Sequence, residues 1–393
     1  MEHSSWHVPP SSSLRPAPTL GSPLVPTPAG AQAAGGQASE TDVAAPSSLL
    51  ARIEQLEARL AAAEAAITTL EERPRAVPAA ALTLEDLARF VRVEEGPLDG
   101  LIGPHLIVEG ANVHIRSGAG ATDDGSAGGG ALTGLGNLVV GYNEPPPDGL
   151  AVGDRAGSHN LIIGRWHRFK SFGGMVAGQQ NTVSGPSASV SGGSGNTAGG
   201  ISAGVSGGVN NTASGALSTV SGGAFNTAGG GAASVSGGVG NTAGGVHASI
   251  SGGSENTASG PFASVSGGED NTASGTHASV SGGSVNTASG ALSSVSGGQG
   301  NTASGGQASV SGGLSNSAGR QHASVSGGRS NFAGGLRASV SGGFLNTAGG
   351  EHASVNGGES NTASGVDASV SGGQNRHASG NFDWKAGSLF QDQ

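Results

Sequence analysis

Residues 256–285 read NTASGPFASVSGGED followed by NTASGTHASVSGGSV, one phrase of fifteen residues written twice. Its asparagine recurs at Asn181, Asn196, Asn211, Asn226, Asn241, Asn256, Asn271, Asn286, Asn301, Asn316, Asn331, Asn346 and Asn361, and a fourteenth copy carries Arg376 in that place. A fixed short period marks a solenoid, in which each copy is one coil stacked on the last. The expected fold is all-β: a parallel β-roll or β-solenoid of 15-residue coils whose fourteen copies span residues 181–380. At about 4.7 Å per coil, that block rises roughly 66 Å.

Strand geometry alternates side chains between faces, so the phrase assigns its own inside and outside. The inward core is Val190, Val205, Val220, Val235, Ile250, Val265, Val280, Val295, Val310, Val325, Val340, Val355 and Val370. The alanine and asparagine of NTASG point inward with them, while its threonine and serine, and the serines of SVS, point out. The double glycine supplies corners of positive φ without a Cβ penalty. The two-residue pairs between phrases are turns; they vary freely and accept Pro186 and Pro261. One valine per coil is little burial to set against ordering fifteen backbones. Ladder hydrogen bonds, stacked asparagine amides and burial against other copies must supply the rest, so an oligomer is expected.

Composition agrees. The chain has 393 residues, 76 of them glycine, and only 3% aromatic residues, which suits thin coils better than a globular core. Net charge is −10, and the repeat block holds four arginines and no lysine, so no basic stripe offers itself to nucleic acid. Cysteine is absent, which excludes disulfides and thiolate metal sites. No stretch approaches the roughly 20 apolar residues of a membrane-spanning helix.

Ahead of the repeats, residues 1–46 read as an unstructured Pro/Ala/Ser-rich tail. The stretch 18–33 ends in Ala31-Gln32-Ala33, and it reads either as a secretory signal remnant or as part of that tail. Residues 47–74 carry a heptad in Leu49, Ile53, Leu56, Leu60, Ala63, Ile67 and Leu70. Ile53, Leu60 and Ile67 at a, with Leu56, Ala63 and Leu70 at d, predict a short parallel coiled coil that clamps an oligomer. Arg52 and Arg59 then face Glu57 and Glu64 of a neighbouring chain, and the Arg73-Pro74 step ends the helix.

Residues 75–96 read as a linker with a short helix over Leu84–Val91, and 97–180 as N-terminal capping β coils. The capping region has strand-like runs at Leu106–Glu109 and Val113–Arg116 and the apolar phrases Asn137–Gly141, Asn160–Gly164 and Met175–Gly178. Residues 381–393 form a C-terminal aromatic cap with Phe382, Trp384, Leu389 and Phe390.

The repeat SVSGG-xx-NTASG-xx resembles the YadA-like head repeat of trimeric autotransporter adhesins, commonly SVAIG-xx-AxAxG-xx. The matching positions are the strand valine (Val190 and its equivalents), the glycine after that strand (Gly193), and the alanine of the second strand (Ala198). The resemblance covers roughly residues 137–380. It implies a left-handed β-roll, a homotrimer, and a surface-exposed head that adheres to a host, matrix or cell-surface receptor. The period departs from the family's fourteen, glycine replaces its second strand aliphatic, and the helix precedes the roll. No series of alternating apolar strands matches the family's membrane-anchor barrel.

The asparagine column reads as an internal amide ladder that satisfies buried polar groups. His247, His277, His322 and His352 share one turn position. Two coils separate the first pair, about 9 to 10 Å, too far to share a zinc within one chain. The GGxG strings are turns without a following helix, no Asp-bearing calcium nonapeptide occurs, and nothing pairs a nucleophile with a base. The expectation is a non-enzymatic extracellular or cell-surface protein without cofactors. Its contact residues are expected at the variable pairs, such as Phe225, Glu269-Asp270, Arg329 and Leu336-Arg337. The rival from another class is ice binding through outward Ser and Thr columns, for which Ser234 to Ser369 give ten consecutive coils.

Overall fold

The computed structural model describes residues 54–61, 64, 84–126 and 130–386. Two compact units divide the chain at Ala111 and Asn112. The tail, most of the heptad segment (Leu49, Ile53, Ala63, Ile67 and Leu70) and the last residues, Leu389 and Phe390 included, lie outside the described residues.

In the first unit, residues 54–61 are helical and expose Leu56 and Leu60. A single helical turn, Leu84–Leu87, leads into strand β1 (Val91–Glu94), which pairs antiparallel with β2 (His105–Val108). The run Val113–Arg116, expected as a strand, is irregular backbone at the start of the second unit. The helix expected over Leu84–Val91 stops at Leu87, and Val91 opens β1; the strict alternation of Val91-Arg92-Val93-Glu94 is the strand signal there.

The second unit is a parallel β-solenoid with two sheets. The valine sheet runs from β3 (Leu138–Val140) through β4 (Leu161–Arg165) and β6 (Met175–Gln179) to the Ser-Val strands of every repeat, ending at Trp384–Lys385. Each of its end strands has one partner among the described residues, so it is an open stack and does not close into a barrel. The alanine sheet is 15-stranded, from β5 (Arg168–Phe169) to His377–Ala378. Register is one full repeat at each step: Val190 pairs with Val205, and Thr197 with Thr212. The solenoid thus starts before the regular block, with Leu138 opposite Leu161 and Leu161 opposite Met175.

The core between the sheets is one line of valines, with Ile250, Ile162 and Val176, and lines of alanines, all buried. The asparagine column lies with them, fully buried from Asn181 to Asn361.

Candidate interaction surface

The coil Asn256–Asp270 shows how outside and inside are kept apart. Thr257, Ser259, Ser264, Ser266 and Glu269 donate backbone N–H groups to the following coil, at 2.7–3.1 Å in the equivalent positions of the regular block. Phe262 and Asp270 donate the other way, to Val246 (2.8 Å) and Ser254 (3.0 Å) of the preceding coil. Both hold left-handed φ, 58° and 52°. A left-handed residue flips its peptide, which turns the N–H backward along the stack.

Both turns therefore reverse at the second residue of each variable pair, in coil after coil. One ridge carries Leu217, His247, Phe262, His277, Leu292, Gln307, His322, Arg337, His352 and Asp367; the other carries Asn210, Phe225, Glu255, Asp270, Val285 and Leu345. Sequence reasoning expected positive φ only at the double glycine, where the second member, such as Gly268 at 88°, does adopt it. The left-handed conformation costs a non-glycine residue about 1–2 kcal/mol. Gly195, Gly240 and Gly300, with Asn210, Asp270, Asp367 and Asn375 at corresponding corners, hinted at it, since these residue types tolerate that conformation best.

The buried asparagines hold these corners. The Oδ1 of Asn256 accepts the backbone N–H of Asn271 at 3.0 Å, while its Nδ2 donates to the carbonyls of Gly252 (3.1 Å) and Gly268 (2.9 Å). Each amide thus closes a corner in its own coil and ties down the corner of the next. Arg376 ends the column, and its N–H still donates to Oδ1 of Asn361 at 2.9 Å.

On the ridges, side chains stack at the coil spacing. Phe262 lies between His247 and His277, with ring centroids 5.0 and 4.7 Å apart and planes within 9° and 7°. Two coils separate those histidines, and a phenyl ring stands between them. Arg337, His352 and Asp367 form a chain of contacts at 3.3 and 3.1 Å in the same column. Across the coil, Arg329 sits 5.4 Å over the Phe344 ring. Of the expected contact residues, Phe225, Glu269, Asp270 and Arg329 fall on one ridge and Leu336 and Arg337 on the other, so no single site gathers them. Among the described residues, no group of three His, Cys, Asp or Glu side chains is placed to hold a metal ion.

The flat faces between ridges are polar in the regular block, where Ser234, Ser249 and Ser264 stand in register and the Thr column is broken by Phe332. The first coils differ. In register with the serine positions stand Leu138, Leu161 and Met175 on one column and Val140, Ile163 and Ala177 on the next. The outer face of the valine sheet is therefore apolar for three coils before it turns to serine. At the far end, Phe382 and Trp384 are exposed as well, and Trp384 Nε1 donates to Ser371 Oγ at 2.9 Å.

Beside the first coils sits a polar network that the sequence did not announce. Asp124 accepts from Ser117 Oγ (2.5 Å), Thr133 Oγ1 (2.6 Å) and Thr133 N (2.8 Å), and these donors, led by Ser117, hold its carboxyl far below the usual range. His159 accepts the Ser117 N–H at Nε2 (3.0 Å) and reaches the Thr122 carbonyl with Nδ1 (2.8 Å). A cavity of ≈ 480 Å³ opens there, lined by His114, Arg116, Ser117 and His159. Ser117 Oγ is committed to Asp124 and not to the imidazole, so these three residues are not a nucleophile–base arrangement. Asp154 binds Lys170 (2.8 Å), the Ala151 N–H (2.8 Å) and Arg168 (3.2 Å), and the Lys170 ammonium leads in lowering its pKa to about 2.

No protein-family model matches the chain, and no curated protein matches it. No helix among the described residues is long and apolar enough to cross a membrane.

Proposed function

We propose that this protein is a non-catalytic, adhesin-like scaffold, secreted or held at a cell surface, that displays its two ridges to a binding partner. One observation carries the reading: variation between repeats is concentrated in the outward corner pairs, while the valine, alanine and asparagine columns stay nearly constant inside and the double glycine recurs in every copy. Side chains that differ from coil to coil on a constant frame are what a recognition surface needs, and a catalytic centre would instead need convergence at one point. The partner would be a host, matrix or cell-surface receptor. The test is retention of the full-length protein on collagen-, fibronectin- and mucin-coated surfaces. Replacing Phe225, Arg329, Leu336 and Arg337 by serine should abolish it with the circular dichroism unchanged.

The reading includes self-association as a homotrimer. The heptad of residues 47–74 supports it, as does the apolar outer face formed by Leu138, Val140, Leu161, Ile163, Met175 and Ala177. An exposed apolar cluster on a sheet face is a common mark of an interface.

Ice binding stands second. Its support is the in-register serine column from Ser234 to Ser369 on a flat sheet; thermal hysteresis with ice shaping would promote it over adhesion.

A further inference from the structure

The buried ladder begins with a histidine in place of an asparagine. His167 lies one coil ahead of Asn181, and the Asn181 N–H points at its Nδ1 at 3.2 Å, as the Asn196 N–H points at Asn181 Oδ1 at 2.8 Å. The other ring nitrogen, Nε2, is 3.0 Å from the carbonyl of Ile163, four residues back. Asn196 Nδ2 makes the same contact with Gly192, four residues back, at 3.1 Å. The imidazole reproduces both ends of the amide.

Those partners fix its protonation. A backbone N–H only donates, so Nδ1 must present its lone pair; a carbonyl only accepts, so Nε2 must carry the hydrogen. His167 is fully buried, and burial pushes its pKa down, as does the Arg155 guanidinium. Arg155 Nε donates to the His167 carbonyl at 3.1 Å. The other charged groups nearby face elsewhere: Arg165 lies over Trp166 and binds Gln179, Arg168 binds Asp148 and Asp154, and Lys170 binds Asp154. The coil above contributes Asn181, which carries no charge.

We propose that His167 is an acid-sensitive latch between the N-terminal coils and the asparagine-clamped block. A proton on Nδ1 would set two donors face to face and leave a charge buried beside an arginine. The latch would then yield and uncover Ile162 and Val176, while coils clamped by asparagine, which does not titrate, hold. The sign follows from linkage. The fold selects the neutral ring, and an exposed imidazole titrates near 6.5, so the latch is fully closed above that pH and weakens below it. With one proton taken up on opening, the opening constant rises by at most about tenfold per pH unit.

Hydrogen exchange of the full-length protein tests this between pH 7.5 and 5.0, read on peptides covering 161–181 and normalised for the chemical exchange rate. The wild type should show that rise, His167→Asn should remove it, and peptides over 271–300 should stay flat in both. His159→Gln, which alters the neighbouring imidazole, should leave the rise in place. A flat wild type, a His167→Asn protein with the wild-type slope, or loss of the slope in His159→Gln would each overturn the proposal. Nitrogen chemical shifts of the His167 ring in the wild type give an independent reading that survives poor folding of the variants. Nδ1 should be unprotonated at pH 7.5, and a ring that takes up its proton with no change in exchange would also overturn the latch.

Discussion

The backbone N–H of Asn271 donates to Oδ1 of Asn256 at 3.0 Å, one link of a ladder that runs from Asn181 to Asn361 along the solenoid core. Backbone ladders hold the coils at strand spacing. The amide column holds their corners, where left-handed residues and close-packed glycines would otherwise leave carbonyls without donors.

Asn256→Ala should therefore cost about 2–4 kcal/mol, since it leaves the Asn271 N–H and the Gly252 carbonyl unpartnered in a buried site, while the Gly268 carbonyl keeps the Ser254 N–H. Asn256→Asp should be worse at neutral pH, because a carboxylate would face the carbonyls of Gly252 and Gly268, and it should recover in acid. Hydrogen exchange in the flanking coils is the proper readout, since a stacked array loosens locally before it melts as a whole.

Two glycines of one coil should respond in opposite ways to alanine. A Cβ on Gly260 would collide with the Gly275 carbonyl, whereas one on Gly267 meets nothing within 4 Å. Gly260→Ala should cost about 1–3 kcal/mol, and Gly267→Ala should stay within about 0.5 kcal/mol of the parent. Thermal melts of the two variants check the contrast.

Acid should loosen the region around Asp154 in a window below that of His167. Its carboxyl is held at about 2 by Lys170, the Ala151 N–H and Arg168, so its stabilisation is present above about pH 4 and lost as pH falls toward 2. Asp154→Asn should flatten that dependence, measured as exchange of the Phe169 N–H, which donates to the Asp154 carbonyl.

Molar mass in solution tests self-association. Full-length protein should run as a trimer, and Leu56→Asn with Leu60→Asn should lower its mass. Ile163→Ser with Val140→Ser should weaken the trimer further. A monomeric wild type would remove the clamp while leaving the solenoid untouched.

Much of this architecture was legible in the sequence. The period set the coils, the alternation of ASVSGG set the valine line, and a polar residue in a fixed inward place required a ladder. What escaped notice was encoded in conformation. Left-handed φ at Phe262, Val285 or Leu217 leaves no mark in composition, because the stack imposes it on residues that would avoid it alone. His167 was hidden because its equivalence to Asn181 depends on a coil of fourteen residues and on ring geometry. Asn137 and Asn160 form a second short ladder, with the Asn160 N–H on Asn137 Oδ1 at 2.8 Å and the Gly174 N–H on Asn160 Oδ1 at 2.9 Å. It ends at Gly174, which has no side chain to continue it, and alanine takes over at Ala188, so no long column announced it. The apolar outer face of the first coils was present in the letters of NLVVG and NLIIG, but register was needed to turn it outward.

Adhesion with both ridges erased tests the central claim most directly. Every corner residue from Ser187 to Asn375 that is neither glycine nor serine would be replaced by serine, leaving all inward columns intact. Retention on collagen-, fibronectin- and mucin-coated surfaces would then be compared with the parent. Circular dichroism should be preserved, and retention on whichever surface holds the parent should be lost; undiminished retention by the erased protein would contradict a binding role for the ridges.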